Sequence, residues 1–335
     1  MIKQCLKKIT EENNLTAEEA GESMREIMTG EAGEVLTGAY ITALAMKGES
    51  VEEIVASAKV MRSVAVRVDL GADCIDIVGT GGDGSNSFNI STCSSFVVAA
   101  GGVPVAKHGN GSVSSKCGSA DILASLGVNA KISPERTAEI FKECGYAFLH
   151  AQVYHPAMRF VTPVRRQLGL RTIFNLLGPL ANPAGAKFQL LGVCKRELVT
   201  PLATVLGQLG TRRVMAVYGG DRLDEISLSS TNYCCSVIDG KVEEFELTAA
   251  DFGLKKLHKS DIVGGLPDEN AEIFRHVLRG EDSPYLSEVL ANSATAFLTA
   301  GRVKTPKEGV ALARETISSG KAEALFLKYR AATNQ

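Results

Sequence analysis

Four glycines fall within six residues in Gly79-Thr-Gly-Gly-Asp-Gly84. The short apolar run Cys74-Ile-Asp-Ile-Val78 stands directly before them, and Phe88 to Ala100 reads as a helix after them. A strand that feeds a glycine-rich turn and then a helix restricts the fold to an α/β unit. Glycine lets the backbone take φ > 0 and approach a ligand closely. The helix N-terminus adds free N–H groups and a partial positive charge. No Gly-Lys-Ser/Thr follows, so this is not a Walker A loop, and no ribose-binding acid stands about 20 residues on, as a dinucleotide fold requires. Taken alone, the loop either holds an anion or makes a tight turn. Asn89, Ser91 and Thr92 either cap the helix or contact phosphate and metal.

A second polar loop repeats the arrangement. Val103-Pro-Val-Ala106 reads as a strand, Lys107-His-Gly-Asn-Gly-Ser-Val-Ser-Ser115 as the loop, and Ser119 to Leu126 as the helix. Lys107 is a point charge suited to phosphate. His108 is either a ligand contact or a structural donor beside the sheet. Two such loops at the C-terminal ends of neighbouring strands are where an open α/β sheet binds ligands, so a phosphate-bearing ligand is expected. Asp224-Glu225, after the apolar run Val214–Tyr218, offers hard oxygen donors for Mg²⁺ or makes an acidic surface turn. Arg159, Arg165, Arg166 and Arg171 lie within thirteen residues. They clamp a carboxylate or form a solvated helix face.

Elsewhere the pattern is helical first and mixed later. Thr16-Ala-Glu-Glu19 and Ser50-Val-Glu-Glu53 are capping boxes, and Ser133-Pro134 and Thr305-Pro306 start further helices. Gly30 to Met46 is rich in small residues, which suits close helix packing or a dimer surface. Gln189–Cys194 and Arg213–Tyr218 read as buried strands, and Asp239-Gly240 marks a hairpin. The expected fold is α/β: a small helical domain over residues 1–70, completed by helices from about 155–185, joined to an α/β domain over 71–335 with a mainly parallel sheet. Lys+Arg is 36 and Asp+Glu 38, a net charge of −2, which argues against nucleic acid. No apolar run reaches a membrane span. The N-terminus lacks an apolar leader stretch and the eight cysteines show no zinc spacing, so a cytoplasmic protein with reduced thiols is expected.

The sequence resembles the anthranilate phosphoribosyltransferases, whose superfamily includes pyrimidine-nucleoside phosphorylases. The resemblance rests on Gly79-Thr-Gly-Gly-Asp83, Asn89-Ile-Ser-Thr92, Lys107-His-Gly-Asn110, Ser119-Ala-Asp121, Asn175-Leu-Leu-Gly-Pro-Leu-Ala-Asn-Pro183 and Asp224-Glu225, and reaches from the N-terminus to about residue 320. It implies transfer of a phosphoribosyl group from 5-phosphoribosyl 1-pyrophosphate (PRPP) to the amine of anthranilate, with pyrophosphate released. It implies donor contacts at Gly79, Gly82, Asp83, Ser87, Asn89, Ile90, Ser91, Thr92, Lys107, His108, Gly109, Asn110, Gly111, Ser112, Val113, Ser114, Ser115 and Ser119. It places anthranilate at Gly79, Asn110 and Arg165, and two Mg²⁺ ions at Ser91, Asp224 and Glu225. No covalent nucleophile is implied. A homodimer through the helical domain is. The family pattern continues Lys-His-Gly-Asn-Arg, whereas this chain has Gly111, which removes a cation from a polyanion site. Cys117, where serine is common, is a milder departure. A nucleoside phosphorylase and a non-catalytic phosphoribosyl- or nucleic-acid-binding relative are the competing readings.

Overall fold

The structure, a computed structural model, describes residues 1–112 and 116–335. Val113, Ser114 and Ser115, expected at the donor site, lie outside the described residues. Four helices open the chain: α1 (Ile2–Thr10), α2 (Ala17–Thr29), α3 (Gly33–Lys47) and α4 (Val51–Ser63). Both expected capping boxes form. The Ser50 hydroxyl accepts from the Glu53 N–H at 3.2 Å, and the Glu53 carboxylate accepts from the Ser50 N–H at 2.7 Å.

Then strands and helices alternate: β1 (Ile75–Gly79), α5 (Ile90–Ala100), β2 (Val105–Gly109), α6 (Ser119–Ser125), α7 (Pro134–Cys144) and β3 (Tyr146–His150). The chain returns to the first helices through α8 (Ala151–Tyr154), α9 (Thr162–Leu168) and α10 (Ile173–Leu180). It re-enters the sheet with β4 (Phe188–Gly192), α11 (Val199–Gln208), β5 (Arg213–Gly219), β6 (Asn232–Ile238) and β7 (Lys241–Leu247). Four helices close it: α12 (Pro267–Leu278), α13 (Pro284–Thr299), α14 (Pro306–Ser318) and α15 (Lys321–Thr333).

The sheet runs β3-β2-β1-β4-β5-β6-β7, parallel from β3 to β5 and antiparallel beyond. The mainly parallel sheet expected from the sequence is therefore present. Asp239 and Gly240 both take φ > 0 (49° and 83°), as a two-residue turn between β6 and β7 needs. Along β5, Met215 and Val217 enter one apolar cluster and Val214 and Ala216 the other, so both faces of the sheet are covered. The first cluster holds α5, α12, α13, α14 and α15. The second joins β4–β6, through α11, to α1–α4, α9 and α10.

Strand β2 starts at Val105 rather than Val103, because Pro104 has no N–H to offer a ladder; its carbonyl instead accepts from Ile75. Helix α5 starts at Ile90 rather than Phe88, and the Phe88 N–H donates to Ile262 O at 3.1 Å.

The helical layer contains one buried ion pair. The Glu53 carboxylate, fully buried, accepts from Lys47 Nζ at 2.9 Å and from the Leu15 N–H at 2.9 Å. Removing one partner leaves an uncompensated buried charge. Lys47→Met is therefore expected to lower the free energy of unfolding, measured in urea, by about 3–5 kcal/mol. A loss within the roughly 0–1 kcal/mol of a surface pair would contradict this.

Candidate functional site

Strand order reverses between β1 and β4: the chain runs outward through β2 and β3 and then returns to the other side of β1. The crevice at the C-terminal ends of these strands is the expected ligand site of such a sheet. Gly79 and Gly192 face each other there in register. Both are glycine for a steric reason: a Cβ on Gly79 would collide with Asp224 Oδ2, and one on Gly192 would overlap the Asp224 carbonyl oxygen. Asp224 thus lies across the two strand ends. Its Oδ2 accepts from the Gly81 N–H at 2.7 Å, and its own N–H donates to Asp83 Oδ2 at 3.3 Å. Glu225 Oε1 accepts from the Ser91 N–H at 3.2 Å, in the first turn of α5.

The turn carrying this acid pair is held from below by α13. Asn292, fully buried, accepts from the Ile226 N–H at 2.9 Å and donates to the Ile226 carbonyl at 3.0 Å. Glu288 accepts from the Leu228 N–H. Asp221, third acid of the same stretch, belongs to the turn itself, where it accepts from the hydroxyls of Ser227, Ser229 and Ser230.

The electrostatics are those of crowded acids. Burial raises the pKa of Asp224, with Asp83 adding repulsion; burial raises that of Glu225, with Asp224 adding repulsion. One buried cation faces them. Lys107 donates to the Ile77 carbonyl and, at 3.2 Å, to Ser91 Oγ; burial lowers its pKa while Asp76, Glu225 and Asp224 oppose that shift. Among the described residues no group of three or more His, Cys, Asp or Glu forms a metal cage. Two carboxylates and a hydroxyl, short of positive charge, instead fit an Mg²⁺ ion, which takes one or two protein carboxylates and draws its other ligands from water and phosphate.

Not every residue the sequence proposed lines this crevice. Lys107 is only 2% exposed and braces Ser91 from beneath. Ile90 and Thr92 are fully buried as α5 packs on the sheet. His108 Nδ1 donates to the Gly178 carbonyl at 3.1 Å. Gly109 approaches Phe148 and Ser119 closely, and Ser119 Oγ donates to the Asn110 carbonyl at 3.2 Å. Asp121 Oδ2 accepts from the N–H groups of Ser112 and Gly118, which closes the second loop. A side chain at Gly111 would emerge 3.0 Å from Asp121 Oδ1, so the departure at this position stands beside an acid. Ser87 shares a hydroxyl cluster with Ser85.

Arg165, on α9, is half-buried with its guanidinium 5.8 Å from the Phe174 ring. It has no hydrogen-bond or ion-pair partner among the described residues. Burial lowers its pKa and Arg171 adds repulsion. Sequence reasoning gave Arg171 no role of its own, yet it is the arginine that reaches the first loop: it donates to the Gly81 carbonyl at 2.8 Å and lies where a Cβ on Gly82 would be. The Gly178–Asn182 run proves to be a pinned return to the sheet. Asn182 donates to Asp76 Oδ2 and to the Ala106 carbonyl, both at 2.8 Å, and Gln189 donates to the Pro179 carbonyl.

His108 and His155 lie ring to ring at 5.0 Å under this return. Burial pushes His108 down to about 3, aided by His155, and burial pushes His155 down to about 4. Both are neutral in the fold at pH 7. The unfolded chain takes up their protons near pH 6.5, so the stability they carry is present above that pH and is lost as pH falls below it. The unfolding free energy is expected to drop by about 2 kcal/mol per histidine between pH 7 and pH 5. Urea unfolding of His155→Phe would show a pH decline smaller by one histidine's share; an unaltered decline would contradict the assignment.

The chain matches two family models: the glycosyl transferase family helical bundle domain over residues 3–65 and the glycosyl transferase family α/β domain over 71–323. It is 51% identical to an anthranilate phosphoribosyltransferase of Methanobrevibacter smithii over 334 residues, the whole of both chains. It is similar to the crystal structure of anthranilate phosphoribosyltransferase from Thermus thermophilus, with a TM-score of 0.92 and 44% identity, covering 98% of this chain and 99% of that one. The Saccharomyces cerevisiae enzyme of that name, solved with PRPP and Mg, gives a TM-score of 0.89 at 27% identity, covering 99% of this chain and 98% of the other.

Proposed function

This chain belongs to the anthranilate phosphoribosyltransferases, and on that premise we propose how its own residues carry the reaction. The enzyme transfers the phosphoribosyl group of PRPP to the amine of anthranilate, giving N-(5-phosphoribosyl)anthranilate and pyrophosphate, a step of tryptophan biosynthesis. The observation that supports the site assignment most is Asp224 seated across the ends of β1 and β4, with Glu225 tied to the start of α5.

Breaking the ribose C1–O bond builds oxocarbenium character on the sugar and negative charge on pyrophosphate. The catalyst then has to position two reactants and meet developing charge with fixed dipoles. In our reading Gly79, Gly82, Asp83, Ser87, Asn89 and Ser91 of the first loop and Asn110, Gly111, Ser112 and Ser119 of the second hold the donor. Ser91, Asp224 and Glu225 would hold Mg²⁺, two ions per site. Bound there, Mg²⁺ supplies positive charge to the pyrophosphate oxygens. Lys107 braces Ser91 from behind. Arg165, unpaired and half-buried, takes the anthranilate carboxylate, with Gly79 and Asn110 completing that pocket. An aromatic amine is unprotonated at pH 7, so the reading needs no general base and no covalent nucleophile.

The reading extends to organisation. Residues 1–70 with about 155–185 form the helical domain and 71–335 the α/β domain. A homodimer would cover α3, where Val35 and Met46 are each 85% exposed. No described helix is long and apolar enough to cross a membrane, which accords with a cytoplasmic enzyme. Nothing in the charge balance favours nucleic acid.

Purified protein is expected to quench anthranilate fluorescence only with PRPP and Mg²⁺ both present. Arg165→Gln is expected to raise the KM for anthranilate roughly 10–150-fold, the equivalent of the about 1.5–3 kcal/mol of a charged hydrogen bond, with the KM for PRPP unchanged. Anthranilate loss without PRPP, or phosphorolysis of thymidine in its place, would contradict the reaction. An unchanged anthranilate KM would contradict the role of Arg165.

A further inference from the structure

An amide relay runs beneath the donor loops through Asn270, a residue that no step above uses. Asn270, in the first turns of α12, is 1% exposed. Its Oδ1 accepts from the Gly265 N–H at 2.8 Å, and its Nδ2 donates to Asn89 Oδ1 at 3.0 Å. Asn89 Nδ2 in turn donates to the Cys117 carbonyl at 3.0 Å. A side-chain amide can be turned end for end, so its polarity has to be set by its partners. Here a backbone N–H, which can only donate, stands at one end, and a backbone carbonyl, which can only accept, stands at the other. Between them only one orientation of both amides satisfies every bond.

The relay joins three segments. Asn89 stands at the N-cap position of α5 at the end of the first loop, and Cys117 lies at the end of the second. The third, residues 262–270, also pairs along the first loop: Phe88 N–H donates to Ile262 O at 3.1 Å, Gly264 N–H to Asn86 O at 2.8 Å, and Ser87 bridges Val263. Asn270 stands behind the loops and meets them through Asn89 and the Cys117 side chain. We propose that Asn270 is a positioning residue for the phosphoribosyl donor: it fixes the direction of the Asn89 amide and so locks the two donor loops at one spacing. This rests on the reading of Asn89 as part of the PRPP site.

The polarity of the relay gives a test that mere space-filling would fail. Asn270→Asp keeps the shape but places an oxygen where the N–H stood, so it faces the Asn89 carbonyl. Turning Asn89 over only moves the clash to the Cys117 carbonyl. Asn270→Ala removes the relay without opposing it. PRPP binding to the full chain is measured by titration calorimetry with Mg²⁺, alongside steady-state kinetics and thermal unfolding. PRPP affinity is expected to fall at least tenfold in Asn270→Asp and by less in Asn270→Ala, with the KM for PRPP rising in parallel and the KM for anthranilate unchanged. Wild-type affinity in Asn270→Asp, or a larger loss in Asn270→Ala, would overturn the proposal. Should Asn270→Asp not fold, Asn270→Ser takes its place: weaker PRPP binding is expected, and undiminished binding would overturn the proposal. A wild-type chain that does not bind PRPP would overturn the site reading and this inference together, whereas wild-type binding with indifferent variants would overturn this inference alone.

Discussion

The site depends on one close approach: the Asp224 peptide lies against the ends of two paired parallel strands. Gly79 and Gly192 are in register at the point where strand order reverses, and neither leaves room for a Cβ. That contact brings a carboxylate from the β5–β6 connection to the Gly81 N–H of the first loop, although the two are far apart in the chain. Asn292 and Glu288 then hold the backbone that follows, so the acid pair is fixed from above by glycine geometry and from below by α13. An acidic turn without this seat would be an ordinary solvated surface feature.

The same approach concentrates charge. Asp76, Asp224 and Glu225 all act on one buried ammonium, Lys107, and Asp83 stands beside Asp224. Burial raises the pKa values of Asp76, Asp224 and Glu225, and repulsion from neighbouring acids adds to the shift of the last two. An arrangement this short of positive charge is poor as a stability device and well suited to a divalent cation that arrives with a polyanionic substrate. Arg165 shows the opposite imbalance, a half-buried cation without an anion partner among the described residues. Two complementary deficits fit a donor that brings metal and an acceptor that brings a carboxylate.

Much of the frame was legible in the sequence because local chemistry dictates it. The capping boxes at Thr16 and Ser50, the Asp239-Gly240 turn and the strand–glycine–helix units each follow from a few neighbouring residues. What was not legible depends on distant partners. Strand β3, Tyr146–His150, has no polar alternation because both of its faces are buried, so it carries no period-2 signal. The sequence offers Lys107 as a cation for phosphate, but its bonds to the Ile77 carbonyl and Ser91 Oγ become visible only in the fold. Arg171 is one arginine of four in the sequence; only the fold shows which one reaches Gly81. The Asn175–Pro183 run carries a family signature, yet its bonds to His108, Asp76 and Gln189 give it a structural role in the return to the sheet.

The central claim is that the strand-end seat of Asp224, more than the mere presence of its carboxylate, makes the site. Gly192→Ala tests it directly, since it keeps every candidate ligand and displaces only the Asp224 backbone. Wild type and variant would be mixed with anthranilate, PRPP and Mg²⁺ after circular dichroism shows both folded. The account predicts wild-type turnover that needs all three components and a loss of about 100-fold or more in kcat/KM for Gly192→Ala, the scale of a 1 Å misplacement at a reacting centre. Turnover by Gly192→Ala close to that of wild type would contradict it.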